Sequence, residues 1–185
     1  HLDSKDQTLQ KLDPDLTLDL ASIAKGYGVD QIANLIREKG YSDFLVEIGG
    51  EIVASGKSMA GTPWKIGINL PDAKAPADQV YKIIGLENRA MATSGDYRNF
   101  IEIDGIRYSH ILDPRTGYPI NNHVVSVTIV SENCTFADGL ATGVMVLGPE
   151  EGLALINRLD NTEGLIITRD ENGVLKDLPS NGFIP

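Results

Sequence analysis

The sequence predicts an α+β fold: mixed, mostly antiparallel sheets packed with a few helices. Three observations predict it. One long stretch has the apolar spacing of a helix, and short runs of strand character follow it. Those runs are separated by glycine-rich turns short enough for hairpins. Helical and strand segments do not alternate in the regular βα order that a parallel sheet requires. The chain has 185 residues, of which 42% are hydrophobic. That suits one ordinary domain with a substantial core.

Residues 1–17 are polar and irregular, with a turn at Asp13-Pro14-Asp15, and read as an irregular N-terminal segment or an expression remnant. Residues 18–185 are expected to form the domain. From Asp19, the residues Leu20, Ile23, Ala24, Tyr27, Ile32, Leu35 and Ile36 recur at helical spacing until Gly40. Gly26 and Gly28 sit early in that helix, where each costs about 1 kcal/mol relative to alanine. Such a cost implies close approach by a ligand, or by another backbone in helix packing.

Strands are expected at 44–48, 52–54 and 64–68, then a loop over 70–79 with Pro71 and Pro76. Further strands are expected at 81–85, 89–93, 99–103 and 106–111, with Asp104-Gly105 as a hairpin turn. A run at 124–131 precedes a helix at 137–147. Pro149 opens another helix, to about 158. Residues 164–169 and 173–177 complete a hairpin around Glu171-Asn172-Gly173.

The formal net charge of −10 argues against a nucleic-acid surface, which needs clustered Lys and Arg. No apolar run approaches the ~20 residues of a membrane span. A single cysteine, Cys134, cannot form an internal disulfide.

Four clusters carry chemistry. In Asp19-Leu-Ala-Ser-Ile-Ala-Lys-Gly-Tyr27, Asp19 can cap the helix, and the free N–H groups of the first turn attract an anion such as phosphate. Lys25 brings a positive charge one and a half turns on. The same residues also suit a plain cap followed by a surface lysine. In Ala92-Thr-Ser-Gly-Asp-Tyr-Arg-Asn99, Ser94 and Gly95 form a polar turn between apolar strands, able to hold a ligand through hydroxyl and backbone groups. The stretch from Tyr108 to Pro119 sets His110 before an Asp-Pro turn. Its imidazole can take a proton from an attacking hydroxyl, or serve structure alone. Finally, Asp138 and Thr142 share a helix face in Phe136-Ala-Asp-Gly-Leu-Ala-Thr142. Their oxygens suit Mg²⁺ rather than zinc. An N-cap Asp and a back-bonded Thr would give the same spacing.

Together and in this order, these segments resemble the ApbE family of flavin transferases (FAD:protein FMN transferases). The matching strings are Asp19–Tyr27, Val46-Glu-Ile-Gly-Gly-Glu51, Ala92–Arg98, Ser109-His-Ile-Leu-Asp-Pro-Arg-Thr-Gly-Tyr-Pro119 and Ala137-Asp-Gly-Leu-Ala-Thr142. The resemblance implies a Mg²⁺-dependent enzyme that splits the pyrophosphate of FAD. It moves FMN to a Thr or Ser hydroxyl of an acceptor protein and releases AMP. The implied metal set is the Ser22 backbone carbonyl with Asp138, Ala141 and Thr142. Asp19, Lys25, Ser94 and Gly95 would lie against FAD, and Leu112 would line the flavin nucleotide. His110 is the implied catalytic residue, with Asp96 the second choice for base or acceptor orientation.

Implied acceptors are subunits of membrane redox complexes of the sodium-pumping quinone reductase or Rnf type. The implied location is periplasmic, as an inner-membrane lipoprotein in full-length form. Family members carry a further N-terminal part that completes the flavin pocket, and this chain does not show it. Two other activities fit the same residues: a Mg²⁺-dependent FAD pyrophosphatase giving FMN and AMP, and an inactive flavin-binding domain.

Overall fold

The computed structural model describes the chain apart from residues 77, 98, 99, 104, 105 and 185, with backbone only at 103, 106 and 107. The expected turn at Asp104-Gly105 and the end of the Ala92–Asn99 motif lie outside the described residues.

A small hairpin, β1 (Leu2–Asp3) with β2 (Thr8–Leu9), opens the chain, in a segment whose sequence suggested no regular structure. Helix α1 (Ala21–Glu38) follows, then β3 (Phe44–Ile48), β4 (Glu51–Ser55), β5 (Trp64–Asn69), β6 (Val80–Leu86) and β7 (Arg89–Gly95). After the hairpin β8 (Phe100–Ile103) with β9 (Ile106–Ser109) comes a tighter one, β10 (Leu112–Asp113) with β11 (Tyr118–Pro119). Strand β12 (Val124–Ser131), helices α2 (Cys134–Leu147) and α3 (Pro149–Ile156), and strands β13 (Glu163–Arg169) and β14 (Leu175–Pro179) complete it. The α+β architecture expected from the sequence, mostly antiparallel strands with a few helices, is present.

Six strands make one antiparallel sheet in the order β14-β13-β12-β7-β4-β3. Alternation assigns its two faces. Val53, Ala90, Ala92, Val127, Ile129 and Ile166 point to the helical layer. Ile52, Ala54, Met91, Leu165 and Ile167 point to a second core, closed by Ile66, Ile68, Ile84 and Leu86 of the β5–β6 hairpin. Because the sheet is covered on both sides, β4 and β12 are buried along almost their whole length, with Ser126, Thr128 and Ser131 enclosed among the apolar residues of β12.

The apolar spacing that marks α1 in the sequence overlaps only in part with the face that α1 buries: Ile23 and Ile36 are half-buried, and Ile36 packs on the core. Gly26, Val29 and Ala33 are buried, whereas Leu20, Tyr27, Ile32 and Leu35 are exposed. Small residues line the inner side because α1 lies very close to α2. A Cβ on Gly26 would stand 2.5 Å from the Cys134 carbonyl oxygen and 2.8 Å from the Asp138 Cβ. Helix packing therefore accounts for Gly26. Gly28 is under no such constraint, since a Cβ there meets only Ile48 Cδ1 at 3.4 Å.

Helix α2 begins a turn earlier than its sequence suggests. Asn133 is its N-cap, accepting from the Phe136 N–H at 2.8 Å. Asp30 of α1 adds a second cap by accepting from the N–H groups of Cys134 (2.9 Å) and Thr135 (2.8 Å) and from the Thr135 hydroxyl. The Cys134 thiol is enclosed, donates to the Met91 carbonyl, and is pushed up to about 12, chiefly by burial. It is a packing residue.

The two glycines give a paired prediction. Gly26→Ala forces a methyl into a backbone carbonyl and should destabilise the fold by about 1–3 kcal/mol. Gly28→Ala should be neutral or stabilising by up to about 1 kcal/mol. Urea unfolding of the two variants decides it; equal stability would contradict the close helix contact.

Candidate functional site

A cleft of about 620 Å³ opens between the start of α1, the middle of α2 and the end of β7. Helix α1 and the segment leading into it contribute Asp19, Ser22 and Lys25; α2 contributes Asp138 and Thr142; β7 contributes Thr93, Ser94 and Gly95. The Ser109–Leu112 segment closes one side with His110 and Leu112.

Local chemistry sets each group in place. The Asp19 carboxylate accepts from the Ala21 N–H at 2.8 Å, so it holds the first helical turn from one position ahead of the N-cap, Leu20. Asp138 stands in the second turn of α2 and is not its N-cap. Its Oδ2 accepts from the Gly26 N–H at 2.9 Å. In a regular helix that N–H points at the carbonyl four residues back, which here belongs to Ser22. Asp138 offers this donor an acceptor from outside the helix. On the same face of α2, the Thr142 hydroxyl lies 3.0 Å from the Ser94 hydroxyl and 3.4 Å from the Asp138 carbonyl. The back-bonding expected of such a Thr is therefore present, though long.

The Ser109–Pro119 string works mainly as a scaffold. Arg115 donates to both oxygens of Asp113, from Nε at 2.9 Å and Nη2 at 2.8 Å, which holds the Asp113 carboxyl below its ordinary range. Gly117, with φ of +76°, donates to the Asp113 carbonyl at 2.8 Å. The turn is thus locked, Ile111 plugs the core, and His110 and Leu112 on either side face the cleft.

Two predicted residues stand elsewhere. Asp96 lines a neighbouring cavity of about 290 Å³, which shares Tyr97 with the cleft. Ala141 is fully buried in the helical core and does not line the cleft, so only its backbone carbonyl is available to a ligand. Gly95 serves packing as well as access: a Cβ there would lie 2.6 Å from the Tyr97 ring and 3.0 Å from the Val125 carbonyl.

One group had no assigned role in the sequence. Glu51 opens β4, is 1% exposed, and takes the Lys25 ammonium on Oε1 at 2.7 Å. A charged residue directly before the apolar run Ile52-Val53-Ala54 was the available signal. Glu51 and Asp138 (4% exposed) are both raised above their ordinary values. Burial is the main cause in each. Lys25 opposes it at both, and the Gly26 N–H opposes it at Asp138.

No group of three His, Cys, Asp or Glu side chains is gathered for a metal among the described residues. The cleft offers hard oxygens of three kinds instead: the Asp138 carboxylate, the Thr142 hydroxyl and the Ser22 carbonyl. A hard divalent cation that retains several waters fits this set.

A polar cleft at a helix start, walled by hydroxyls and a buried acid, in an α+β frame, places the chain in a known family. The ApbE family model matches residues 1–166, so the chain belongs to the ApbE family. It is 46% identical over 185 residues to the FAD:protein FMN transferase of Vibrio cholerae serotype O1, covering 100% of this chain and 54% of that protein. The FAD:protein FMN transferase of Haemophilus influenzae is 44% identical over 166 residues, 90% of this chain and 47% of that one. Among solved structures, a mutant of the flavin transferase ApbE from Vibrio cholerae superposes with a TM-score of 0.84 at 46% identity, covering 99% of this chain and 57% of that chain. The ApbE protein of Thermotoga maritima gives a TM-score of 0.80 at 33% identity, covering 98% and 56%. The chain spans about half the length of the curated relatives it matches.

The raised carboxyls predict a pH dependence. Both hold their protons more firmly folded than unfolded, so stability falls as pH rises from their ordinary values of 3.8 and 4.5 through the raised ones. Asp138→Asn can keep the Gly26 hydrogen bond without the buried charge. It should melt higher than the parent at pH 7, and the gain should shrink as pH falls toward 4. A pH series of thermal melts checks this; a lower melting temperature at pH 7 would contradict it.

Proposed function

We propose that this chain forms the nucleotide-handling part of a Mg²⁺-dependent FAD:protein FMN transferase. The observation carrying the proposal is convergence: Asp19, Ser22, Lys25, Ser94, His110, Asp138 and Thr142, from four distant segments, border one cleft.

In this reading the FAD pyrophosphate lies over the opening turn of α1. The N–H groups there and the Lys25 ammonium offset its charge. Asp138, Thr142 and the Ser22 carbonyl would hold Mg²⁺, which when bound neutralises phosphate charge and favours departure of AMP. Leu112, 57% exposed, offers an apolar surface to the flavin side. The acceptor's Thr or Ser hydroxyl attacks the phosphorus of the FMN half, its proton passes to the imidazole of His110, and the bond to the AMP oxygen breaks. Catalysis of this kind is mostly positioning and charge compensation. A base in reach of the hydroxyl adds typically ~10²–10⁴-fold. His110 is favoured over Asp96 for that base because it borders the cleft, while Asp96 lies beyond Tyr97. The proposed acceptors are subunits of membrane redox complexes of the quinone-reductase or Rnf type, met in the periplasm by a lipoprotein form.

The test is incubation with FAD, Mg²⁺ and such a subunit, with AMP, free FMN and flavin-labelled protein separated afterwards. Labelled protein and AMP in equal amounts are expected. FMN and AMP without label would mark a pyrophosphatase instead. His110→Ala should lose transfer by about 10²-fold or more with FAD binding retained, and unchanged transfer would remove His110 from the reaction.

A further inference from the structure

Glu51 is an inefficient device for stability. Among the described residues, one of its oxygens, Oε2, is buried with no hydrogen-bond partner, and its ion-pair partner, Lys25, has a side chain that is 47% exposed. A buried pair so arranged gains little over apolar residues of similar volume. What the arrangement does achieve is to hold one lysine still. Lys25 is rooted in α1, which borders the cleft. Its stem passes Gly49 in the β3–β4 turn, where φ is +62° and a Cβ would touch Lys25 Cδ at 3.5 Å. Its tip is tied to Glu51 at 2.7 Å. Four rotatable bonds are thereby fixed on folding, so the ordering cost does not fall on ligand binding.

We propose that Glu51 is the positioning residue of the cleft: from its buried seat on β4 it holds the Lys25 ammonium at the cleft wall, as a fixed positive charge for the phosphates of a dinucleotide. The inference rests on the reading of the cleft as an FAD site. Glu51 touches no ligand and acts only through Lys25. Two consequences separate this from a plain structural pair. Loss of Glu51 weakens phosphate-bearing ligands and spares the flavin ring, and the loss disappears when Lys25 is already absent.

The experiment measures binding of FAD and of riboflavin, which has no phosphate, by flavin fluorescence in Mg²⁺, for the 185-residue chain. The variants are Glu51→Gln, Glu51→Asp, Lys25→Met and the Lys25→Met/Glu51→Gln double. Glu51→Gln should weaken FAD about 10-fold or more, the scale of one charge-assisted contact, and leave riboflavin unchanged. The double variant should bind FAD as Lys25→Met alone does. Glu51→Asp, which keeps the charge but shortens its reach, should fall between parent and Glu51→Gln, and it carries the test should Glu51→Gln fail to fold. Equal loss for FAD and riboflavin, a further loss in the Lys25→Met background, or no loss at all would overturn the proposal.

Amine acetylation at Lys25, read by mass spectrometry against exposed Lys39, needs no ligand. It should run faster in Glu51→Gln, because the amine is then no longer held against the buried acid; an unchanged rate also overturns the proposal. No FAD binding by the parent, with acetylation accelerated as expected, would instead refute the FAD reading while Glu51's hold on Lys25 stands.

Discussion

The site depends on the contact between α1 and α2 at Gly26. Without a side chain there, the Gly26 N–H reaches the Asp138 carboxylate at 2.9 Å and the backbone of α1 comes within van der Waals distance of the Cys134 carbonyl. Asp30 fixes the register of the same contact by capping the first turn of α2. These interactions carry Asp138 from residue 138 to the opening turn of a helix that starts at residue 21. Every other feature of the cleft is arranged around that meeting.

The sheet supplies the rest of the frame. Being covered by helices on one face and the β5–β6 hairpin on the other, it is a rigid partition. Strand β7 crosses it and ends at Ser94 and Gly95, just where Thr142 of α2 comes down to within hydrogen-bond reach. The locked Asp113–Gly117 turn holds His110 and Leu112 opposite. Electrostatically, the cleft balances two enclosed carboxyls against one lysine, and burial at both acids outweighs what Lys25 returns. Buried acids kept at a cost to stability fit a cleft whose ligand brings a cation.

Much of this was legible in the sequence. The strands at 44–48 and 124–131, the loop over 70–79 and the α+β class follow from alternation, glycine turns and irregular element order. The residues of the cleft were legible as motifs, because Asp-x-x-x-Thr spacing and a helix-opening Asp carry chemistry in their types. What periodicity could not give was orientation. The large apolar residues of α1 suggested a buried stripe, yet close packing selected the small ones, Gly26, Val29 and Ala33. The first turn of α2 was missed because its cap is shared: Asn133 is local, but Asp30 comes from another helix. Glu51 had no assigned role because a buried acid is defined by its partner, and Lys25 lies 26 positions away in the chain. Ala141 and Asp96 sit next to cleft residues in sequence, yet the Ala141 side chain is buried in the helical core and Asp96 lines the adjoining cavity.

A crystal structure of the chain grown with FAD and Mg²⁺ tests the central claim most directly. The account predicts a cation about 2.0–2.1 Å from oxygens of Asp138 and Thr142, shared with the Ser22 carbonyl, and pyrophosphate lying over the first turn of α1. A cation bound elsewhere, or FAD seated away from the junction of the two helices, would contradict it.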